Sequence, residues 1–165
     1  MTATPERSRT YSWSDPVTLA AAAAQQAGLE FLAAMGAGAL PTPPIMSTLG
    51  ITGMEVEHGR VAFGLEPAEW HYNPIGTVHG GVLATLLDSA TGCAVHSTLP
   101  AGTGYTSLDL SVRFLRPVSV SSGTLRCTGE VLNAGRRTAL AEARLTDAAG
   151  KLLAHATSTC LLIRP

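Results

Sequence analysis

The sequence predicts an α+β fold in which one long helix is buried and a curved antiparallel sheet wraps around it. The first observation is a stretch after residue 80 with apolar residues at helical spacing on a wide face, namely Val82, Leu83, Leu86, Leu87, Ala90 and Ala94. The second is the C-terminal part of the chain, where alternating segments joined by short turns indicate an antiparallel meander. A helix this apolar needs cover on several sides, and a curved sheet supplies it.

The first 45 residues are predicted to form a tail, an extra helix and a stiff connector. Residues 1–10 are polar and predict a disordered tail. Ser14-Asp15-Pro16 suits a helix start, because Ser or Asp can accept from free N–H groups and Pro fits the first turn. The helix is predicted over residues 17–34, and the prolines of residues 40–45 favour an extended connector. The main domain is therefore placed at residues 46–165.

Strands are predicted wherever apolar and polar residues alternate. One strand falls within residues 46–57, and a turn leads to a second at residues 60–65. After the central helix, residues 105–115 form a strand whose buried face carries Leu108, Leu110, Val112 and Phe114. The last three strands are predicted at residues 124–132, 137–146 and 151–163. A length of 165 residues suits one such domain.

The composition favours a protein that associates with copies of itself. Charged residues make up 14% of the chain and hydrophobic residues 45%, with a mean hydropathy of +0.22. Because charged residues usually make up about 25% of a chain, a small monomer of this composition would expose much apolar surface, so we expect burial between subunits. A net charge of −1, without a basic stripe, argues against nucleic acid or a membrane surface as a partner.

The sequence carries no pattern typical of a metal site, a disulfide framework or a secretion signal. The three cysteines are far apart, and the histidines lack the i, i+4 spacing of a helical metal site. The apolar run at residues 19–24 is too short for a signal-peptide core or a membrane span. We therefore expect a cytoplasmic protein without a metal.

Residues 73–88 hold the candidate catalytic groups. A turn-rich loop delivers His79-Gly80-Gly81 to the helix start, where backbone N–H groups lack intrahelical partners and the helix dipole is positive. Such a place suits an oxygen that becomes negative during a reaction. Asp88 follows about two turns later, with Thr85 and Thr91 on its side of the helix. This carboxylate is either structural, capping a neighbouring loop or pairing with an arginine across an interface, or catalytic, which we favour.

The spaced pattern of these residues resembles a known family. The pattern is Asn73, His79-Gly80-Gly81 and Asp88, followed by Ser107-Leu108-Asp109-Leu110 and Phe114-Leu115-Arg116-Pro117-Val118. It is similar to the hot-dog-fold acyl-CoA thioesterases of the phenylacetic-acid-degradation (PaaI-like) type. The resemblance covers residues 46–163, and the N-terminal helix resembles an extension of some members. It implies hydrolysis of acyl-CoA thioesters to a free acid and coenzyme A, which is part of the substrate, with no separate cofactor.

The resemblance also implies a role for each matching residue. Asp88 corresponds to the catalytic carboxylate, acting as general base or as nucleophile, and the Gly80 N–H to the donor that polarises the thioester carbonyl. Asn73 corresponds to a side chain that places the water or the carbonyl, and Ser107 to a hydroxyl beside that water. Because the family combines carboxylate and donor from different subunits, a dimer or a dimer of dimers (a homotetramer) is implied. His79 either bonds the thioester oxygen or holds the loop.

The acyl group is expected near the central helix and the strand that follows it. The predicted lining is mixed in size and mostly apolar, and consists of Gly81, Val82, Thr85, Tyr105 and Thr106. That lining suits an aromatic or a medium-chain acyl group. Arg116, Arg136 and Arg137 lie at strand ends or turns, where they are either ligands for the phosphates of coenzyme A or solvated turn residues.

Two other functions compete with hydrolysis on the same fold. A 3-hydroxyacyl-thioester dehydratase or hydratase would need a His and an acid facing one substrate carbon, and His79 with Asp88 is the only such pair that the sequence suggests. A non-catalytic acyl-CoA-binding module would have no need of Asp88. The presence of Asp88 therefore favours the hydrolase.

Overall fold

The computed structural model describes residues 6–164, so residues 1–5 of the predicted tail and Pro165 lie outside the described part. Three helices come first, α1 (Pro16–Gln25), α2 (Gly28–Gly36) and α3 (Pro44–Leu49). Two strands follow, β1 (Ile51–Glu57) and β2 (Arg60–Leu65), and then the long helix α4 (Gly80–His96). The chain ends in five strands, β3 (Gly104–Ser107), β4 (Ser111–Phe114), β5 (Leu125–Ala134), β6 (Thr138–Thr146) and β7 (Leu152–Ile163). Short 3₁₀ turns lie at Glu69–His71 and Val120–Ser122.

All strands join one antiparallel sheet, and α4 packs on one of its faces. The strand order is β1-β2-β5-β6-β7-β3, with β4 also paired to β7. Small side chains of β6 and β7 are buried towards the helix, namely Ala139, Ala141, Ala143, Ala154 and Ala156. Leu86, Leu87 and Ala90 of α4 are fully buried in the core. The predicted helix wrapped by an antiparallel sheet is confirmed.

The predicted single helix over residues 17–34 is wrong, because the chain breaks between α1 and α2. Gly28 begins α2, and its N–H donates to Leu99 O at 2.9 Å. A Cβ at Gly28 would lie 1.8 Å from His96 O. The backbone here touches the end of α4, an approach that only glycine permits, so the break follows from a distant contact. Phe31, Leu32 and other buried side chains of these helices join the same hydrophobic cluster as Leu86.

The proline-rich connector is shorter than predicted and leads into a helix. Helix α3 begins at Pro44, within the segment predicted to be extended, and continues through Met46 to Leu49. Proline fits this first helical position because its N–H would have no partner there. The strand expected within residues 46–57 therefore starts only at Ile51, after Gly50 closes the helix with a φ of 72°.

The single strand predicted over residues 105–115 is also wrong, since it is divided into β3 and β4. Asp109 holds the interruption, because its carbonyl accepts from Ser158 Oγ at 2.7 Å and its carboxylate accepts from Thr159 N–H at 3.1 Å. After Asp109 the alternation of half-buried and exposed side chains begins again in the other phase. Leu108 and Phe114, predicted to be buried, are 58% and 54% exposed. The strands predicted at residues 60–65, 124–132, 137–146 and 151–163 are confirmed within two or three residues at each end.

The close packing of β5 against α4 can be tested at Gly129. A Cβ at this position would lie 2.1 Å from Ala90 O. We expect Gly129→Ala to lower the free energy of unfolding by about 3 kcal/mol, because backbone must shift to admit the methyl group. Gly104→Ala is the matched control, since its Cβ would meet nothing nearer than Ile163 Cβ at 3.9 Å. Urea unfolding followed by circular dichroism measures both; equal stabilities of the two variants would contradict the packing.

The packing of two histidines predicts a pH dependence of stability. Burial lowers the pKa of His71 and of His96 from the ordinary value of 6.5, and His96 lies between the rings of Phe31 and Tyr105. The stability that these neutral rings contribute is fully present above that ordinary pKa. It is lost as the pH falls towards the folded-state values, because the unfolded chain then binds protons that the folded chain excludes.

We therefore expect the melting temperature to fall between about pH 7.5 and about pH 5.5, and to fall less steeply in His96→Phe, which keeps a ring but removes one titrating group. Differential scanning calorimetry across this range measures the slope. An identical slope in wild type and His96→Phe would show that His96 does not contribute.

Candidate active site

The start of α4 presents one free backbone donor. His79 is the N-cap residue, and its Nδ1 accepts from the Gly81 N–H at 2.9 Å. Among the described residues, no hydrogen-bond acceptor is found for the Gly80 N–H, which is the first of the helix. The Phe114 ring lies over Gly80, where a Cβ would come within 3.2 Å of Phe114 Cζ. Because glycine has no side chain, a ligand can come close to this N–H. The positive end of the helix dipole favours an anion at that place.

His79 holds the loop and the helix together in this geometry. Because Nδ1 accepts a hydrogen bond, it carries no proton, and the N–H of the imidazole is on Nε2. The His79 N–H donates to His71 O at 2.8 Å. The sequence predicts that His79 either bonds the thioester oxygen or holds the loop. The contact that holds the loop is present in the protomer.

Asn73 closes the loop that precedes the helix. Its Oδ1 accepts from the N–H groups of Ile75 and Thr77 at 3.0 and 3.2 Å, and its Nδ2 donates to Thr77 Oγ1 at 3.0 Å. These partners all lie within residues 73–77. The side chain that the resemblance assigns to a water or carbonyl is thus engaged in shaping the loop.

His71 anchors this loop, and sequence reasoning gave it no role there. Its side chain is buried, with 3% of the residue exposed. Nδ1 accepts from the Ala68 N–H at 3.0 Å, so Nε2 carries the proton and donates to Leu49 O at 2.7 Å. Because its own carbonyl accepts from His79, His71 ties the end of α3 to the residue before Gly80. No sequence signal distinguishes it from the other histidines, since its partners are backbone atoms of Ala68 and Leu49 and the adjacent Trp70 indole.

The structure brings Asp88 and Ser107 together, as the resemblance to the thioesterase family implied. Ser107 Oγ donates to Asp88 Oδ1 at 3.0 Å, and both residues are half-buried between α4 and β3. The neighbouring threonines do not bind this carboxylate, because Thr85 Oγ1 donates to Gly81 O and Thr91 Oγ1 to the carbonyls of Leu87 and Asp88. Within residues 6–164, Asp88 forms no salt bridge. No arginine of these residues pairs with Asp88, and the predicted pair with an arginine across an interface stays a prediction.

The predicted lining of the acyl site is divided between the two halves of α4. Gly81, Val82 and Thr85 lie in its first half. Tyr105 packs on the second half, where a Cβ at Gly92 would lie 2.8 Å from Tyr105 Cε2, and burial raises the pKa of its phenol. Residues 82 and 92 are about 15 Å apart along the helix axis. Thr106, next to Tyr105, is exposed, so one protomer does not bring all of these residues around one acyl group.

The three predicted phosphate ligands are also separated. Arg116 donates to Leu152 O at the start of β7 and lines a cleft of about 350 Å³ beside Gly80, together with Thr77, Val78, Leu83, Phe114, Leu115, Pro117 and Val118. Arg136 and Arg137 lie on the exposed β5–β6 turn, where Arg137 O accepts from the Leu162 N–H. Leu152 and Leu162 are ten residues apart on β7, about 33 Å. Arg116 is therefore the one near the helix start.

Three further observations concern metal ligands, reactive thiols and membrane-spanning helices. Among residues 6–164 there is no cluster of three or more His, Cys, Asp or Glu side chains that could hold a metal ion. Burial raises the pKa of the Cys93 and Cys127 thiols to about 12, so neither is a ready thiolate. In the same part of the chain, every helix is too short or too polar to span a bilayer.

Comparison with known proteins identifies the family. Residues 75–154 match the thioesterase superfamily. Human acyl-coenzyme A thioesterase 13 is 33% identical over 110 residues, which are 66% of this chain and 77% of that protein. A 1,4-dihydroxy-2-naphthoyl-CoA hydrolase of Listeria monocytogenes is 28% identical over 109 residues, covering 66% of this chain and 87% of that protein.

Solved structures agree with the sequence matches. A phenylacetic acid degradation-related protein of Ralstonia eutropha superposes with a TM-score of 0.71 and 32% identity, over 79% of this chain and 98% of that one. The Escherichia coli PaaI protein, at 24% identity, shares the fold with a TM-score of 0.70 over 82% and 96% of the two chains. The family match covers α4 and the strands from β3 to β6. The chain therefore belongs to the thioesterase superfamily and is a thioester hydrolase of the PaaI-like, hot-dog-fold type.

Proposed function

We propose that this protein hydrolyses acyl-CoA thioesters, with Asp88 as the carboxylate and the Gly80 N–H as the oxyanion donor. The observation that carries the proposal is the 3.0 Å hydrogen bond from Ser107 to Asp88, on the helix whose first N–H has no acceptor among residues 6–164. The names of the relatives support coenzyme A as the thiol, since two of them are an acyl-coenzyme A thioesterase and an aryl-CoA hydrolase.

The chemistry requires a nucleophile on the thioester carbon and a donor for its oxygen. As a general base, Asp88 takes a proton from water, and the hydroxide adds to the carbonyl carbon. The Gly80 N–H stabilises the negative oxygen. The C–S bond then breaks, and the thiolate takes the proton that Asp88 received from water. As a nucleophile, Asp88 would add to the thioester carbon and expel the thiolate, which gives an anhydride. Water would then open the anhydride, releasing the acid and Asp88 and supplying the proton that the thiolate takes. Ser107 holds one carboxylate oxygen in either route, which leaves Oδ2 free to act.

A complete site in this proposal needs two protomers. Gly80 and Asp88 are eight residues apart on α4, about 12 Å along the helix axis. The carbon and oxygen of a carbonyl are about 1.2 Å apart. The oxyanion donor must come within about 3 Å of the oxygen, and Asp88 within about 3 Å of the carbon as a nucleophile or about 6 Å as a base acting through water. One helix therefore cannot present both groups to one thioester, whereas the Gly80 of one protomer and the Asp88 of its partner can meet.

The free edge of the sheet supports this assembly. The strands β3 and β4 form one edge, and apolar side chains beside them are exposed, with Leu108 at 58%, Phe114 at 54% and Leu115 at 50%. An exposed apolar edge favours pairing with another chain. The proposed assembly is a homodimer through this edge, which places Asp88 and Ser107 near the interface, or a pair of such dimers.

The substrate is proposed to be an aromatic or medium-chain acyl-CoA. Val82 and Thr85 of one protomer border the helix start, and Tyr105 and Thr106 would come from the other half of the assembly. Arg116 lines the cleft beside Gly80 and is the proposed phosphate ligand. Arg136 and Arg137 would contribute only from a partner subunit. A dehydratase is less well supported, because His79 Nδ1 is already occupied by the Gly81 N–H.

The role of Asp88 is tested by Asp88→Asn. The amide still accepts from Ser107, so the fold is kept, but it cannot take a proton. We expect the turnover number to fall by about 10²–10⁴-fold, measured as thiol release from octanoyl-CoA and benzoyl-CoA with a thiol reagent. Glu66→Gln, a surface acid on the loop after β2, is the control. Near wild-type turnover in folded Asp88→Asn would refute the assignment; Ser107→Ala and Asn73→Ala should lose less.

The coenzyme A portion is tested by shortening the thiol. If Arg116 binds a phosphate, full CoA esters should exceed the corresponding N-acetylcysteamine esters in kcat/KM, and Arg116→Ala should reduce that advantage by about tenfold, the effect of one charge-assisted contact. Arg144→Ala, which removes an exposed arginine of β6 outside the proposed site, is the matched control. If wild type and Arg116→Ala discriminate equally between the two thiols, Arg116 is only a surface charge.

A further inference from the structure

The N-terminal segment before α1 is bound to the loop that leads to Gly80. Arg9 belongs to this segment and is half-buried. Its guanidinium is 4.9 Å from the ring centroids of both Tyr11 and Trp70. Its Nη2 donates to Ser47 O at 2.7 Å, and its Nη1 donates to Thr48 O. Arg9 therefore joins the N-terminal segment to the end of α3 and to the turn that contains Trp70.

Arg9 and His71 together satisfy the end of α3. The last four carbonyls of a helix have no partner within it. Here the Gly50 N–H donates to Met46 O, and Arg9 donates to Ser47 O and Thr48 O. His71 Nε2 donates to Leu49 O. A guanidinium suits this place, because the C-terminal end of a helix carries partial negative charge. The last three of these carbonyls are bound by side chains from distant parts of the chain.

The same contacts continue to the start of α4. The Trp70 indole nitrogen lies 3.0 Å from His71 Nε2, so the ring that Arg9 covers rests against His71. His71 O in turn accepts from the His79 N–H at 2.8 Å, and His79 caps α4 through Gly81. An unbroken series of contacts thus connects Arg9, His71 and His79 to the Gly80 N–H.

We infer that Arg9 is a positioning residue for hydrolysis, which fixes α3 and Trp70 around His71 and thereby holds the Gly80 N–H where the thioester oxygen binds. The inference rests on the proposed role of Gly80. It concerns turnover rather than binding, because an oxyanion donor acts most strongly in the transition state. A shift of the donor would lower kcat and leave KM almost unchanged.

Three variants test this inference in the full-length protein. Arg9→Ala removes both bonds to α3. Arg9→Lys keeps the charge but loses the planar fork that reaches two carbonyls together. Arg7→Ala is the matched control. Within residues 6–164 this arginine of the same segment has one ion pair, with Glu69, which joins side chains that are 65% and 57% exposed and therefore contributes little.

We expect Arg9→Ala to lower kcat for octanoyl-CoA about tenfold, less than the 10²–10³-fold loss of a whole oxyanion donor, with KM within about twofold. Arg9→Lys should fall between Arg9→Ala and wild type, and Arg7→Ala should match wild type. Amide hydrogen exchange supplies a readout independent of activity. Peptides covering residues 71–80 should exchange faster in Arg9→Ala than in Arg7→Ala, while peptides covering residues 86–96 exchange as in wild type.

Two results would overturn the inference. One is an unchanged kcat or unchanged exchange of residues 71–80 in Arg9→Ala. The other is faster exchange throughout α4, which would show that Arg9 only stabilises the fold. If Arg9→Ala does not fold, Arg9→Lys is judged by the same criteria. A wild-type protein inactive on every acyl-CoA ester would instead refute the proposed function, and the exchange data would still decide whether Arg9 holds the loop.

Discussion

The burial of α4 in the curve of the sheet is the constraint on which the rest of the molecule depends. The helix lies so close to β5 that Gly129 has no room for a side chain beneath Ala90 O. Alanines of β6 and β7 line the rest of this contact. An interior packed this closely holds the helix rigidly. The distance between the Gly80 N–H and Asp88 is therefore fixed by the helix itself, and the proposed site must be completed from outside the protomer.

The loop before α4 prepares the free donor by using its other polar groups internally. Among the described residues, the Asn73 side chain bonds only within residues 73–77. His79 caps Gly81, and His71 binds the end of α3. Within the described part of the chain, the Gly80 N–H has no such acceptor. A donor held by satisfied neighbours needs no reorganisation when charge develops on a substrate oxygen, which is the condition for electrostatic catalysis. The N-terminal segment extends this support through Arg9.

Much of this architecture could be predicted from local patterns, and the exceptions have long-range causes. The periodicity of α4 and the alternation of β5, β6 and β7 are local, and so is the spacing that pointed to Asp88 and Ser107. The break before Gly28 arises from contact with His96 O. The interruption at Asp109 arises from bonds to Ser158 and Thr159, about 50 residues away. No local pattern encodes such contacts, which is also why His71 and Arg9 received no role from the sequence.

In the proposed site, the Gly80 of one protomer acts together with the Asp88 of another. Subunit mixing tests this arrangement most directly. Gly80→Pro deletes the donor at a first helical position, where proline is tolerated, and Asp88→Asn deletes the base. Each variant alone should be inactive. Random mixing by co-refolding should restore about a quarter of wild-type activity, because half of the dimers are mixed and each holds one intact site of two. A mixture as inactive as its components would contradict the shared site.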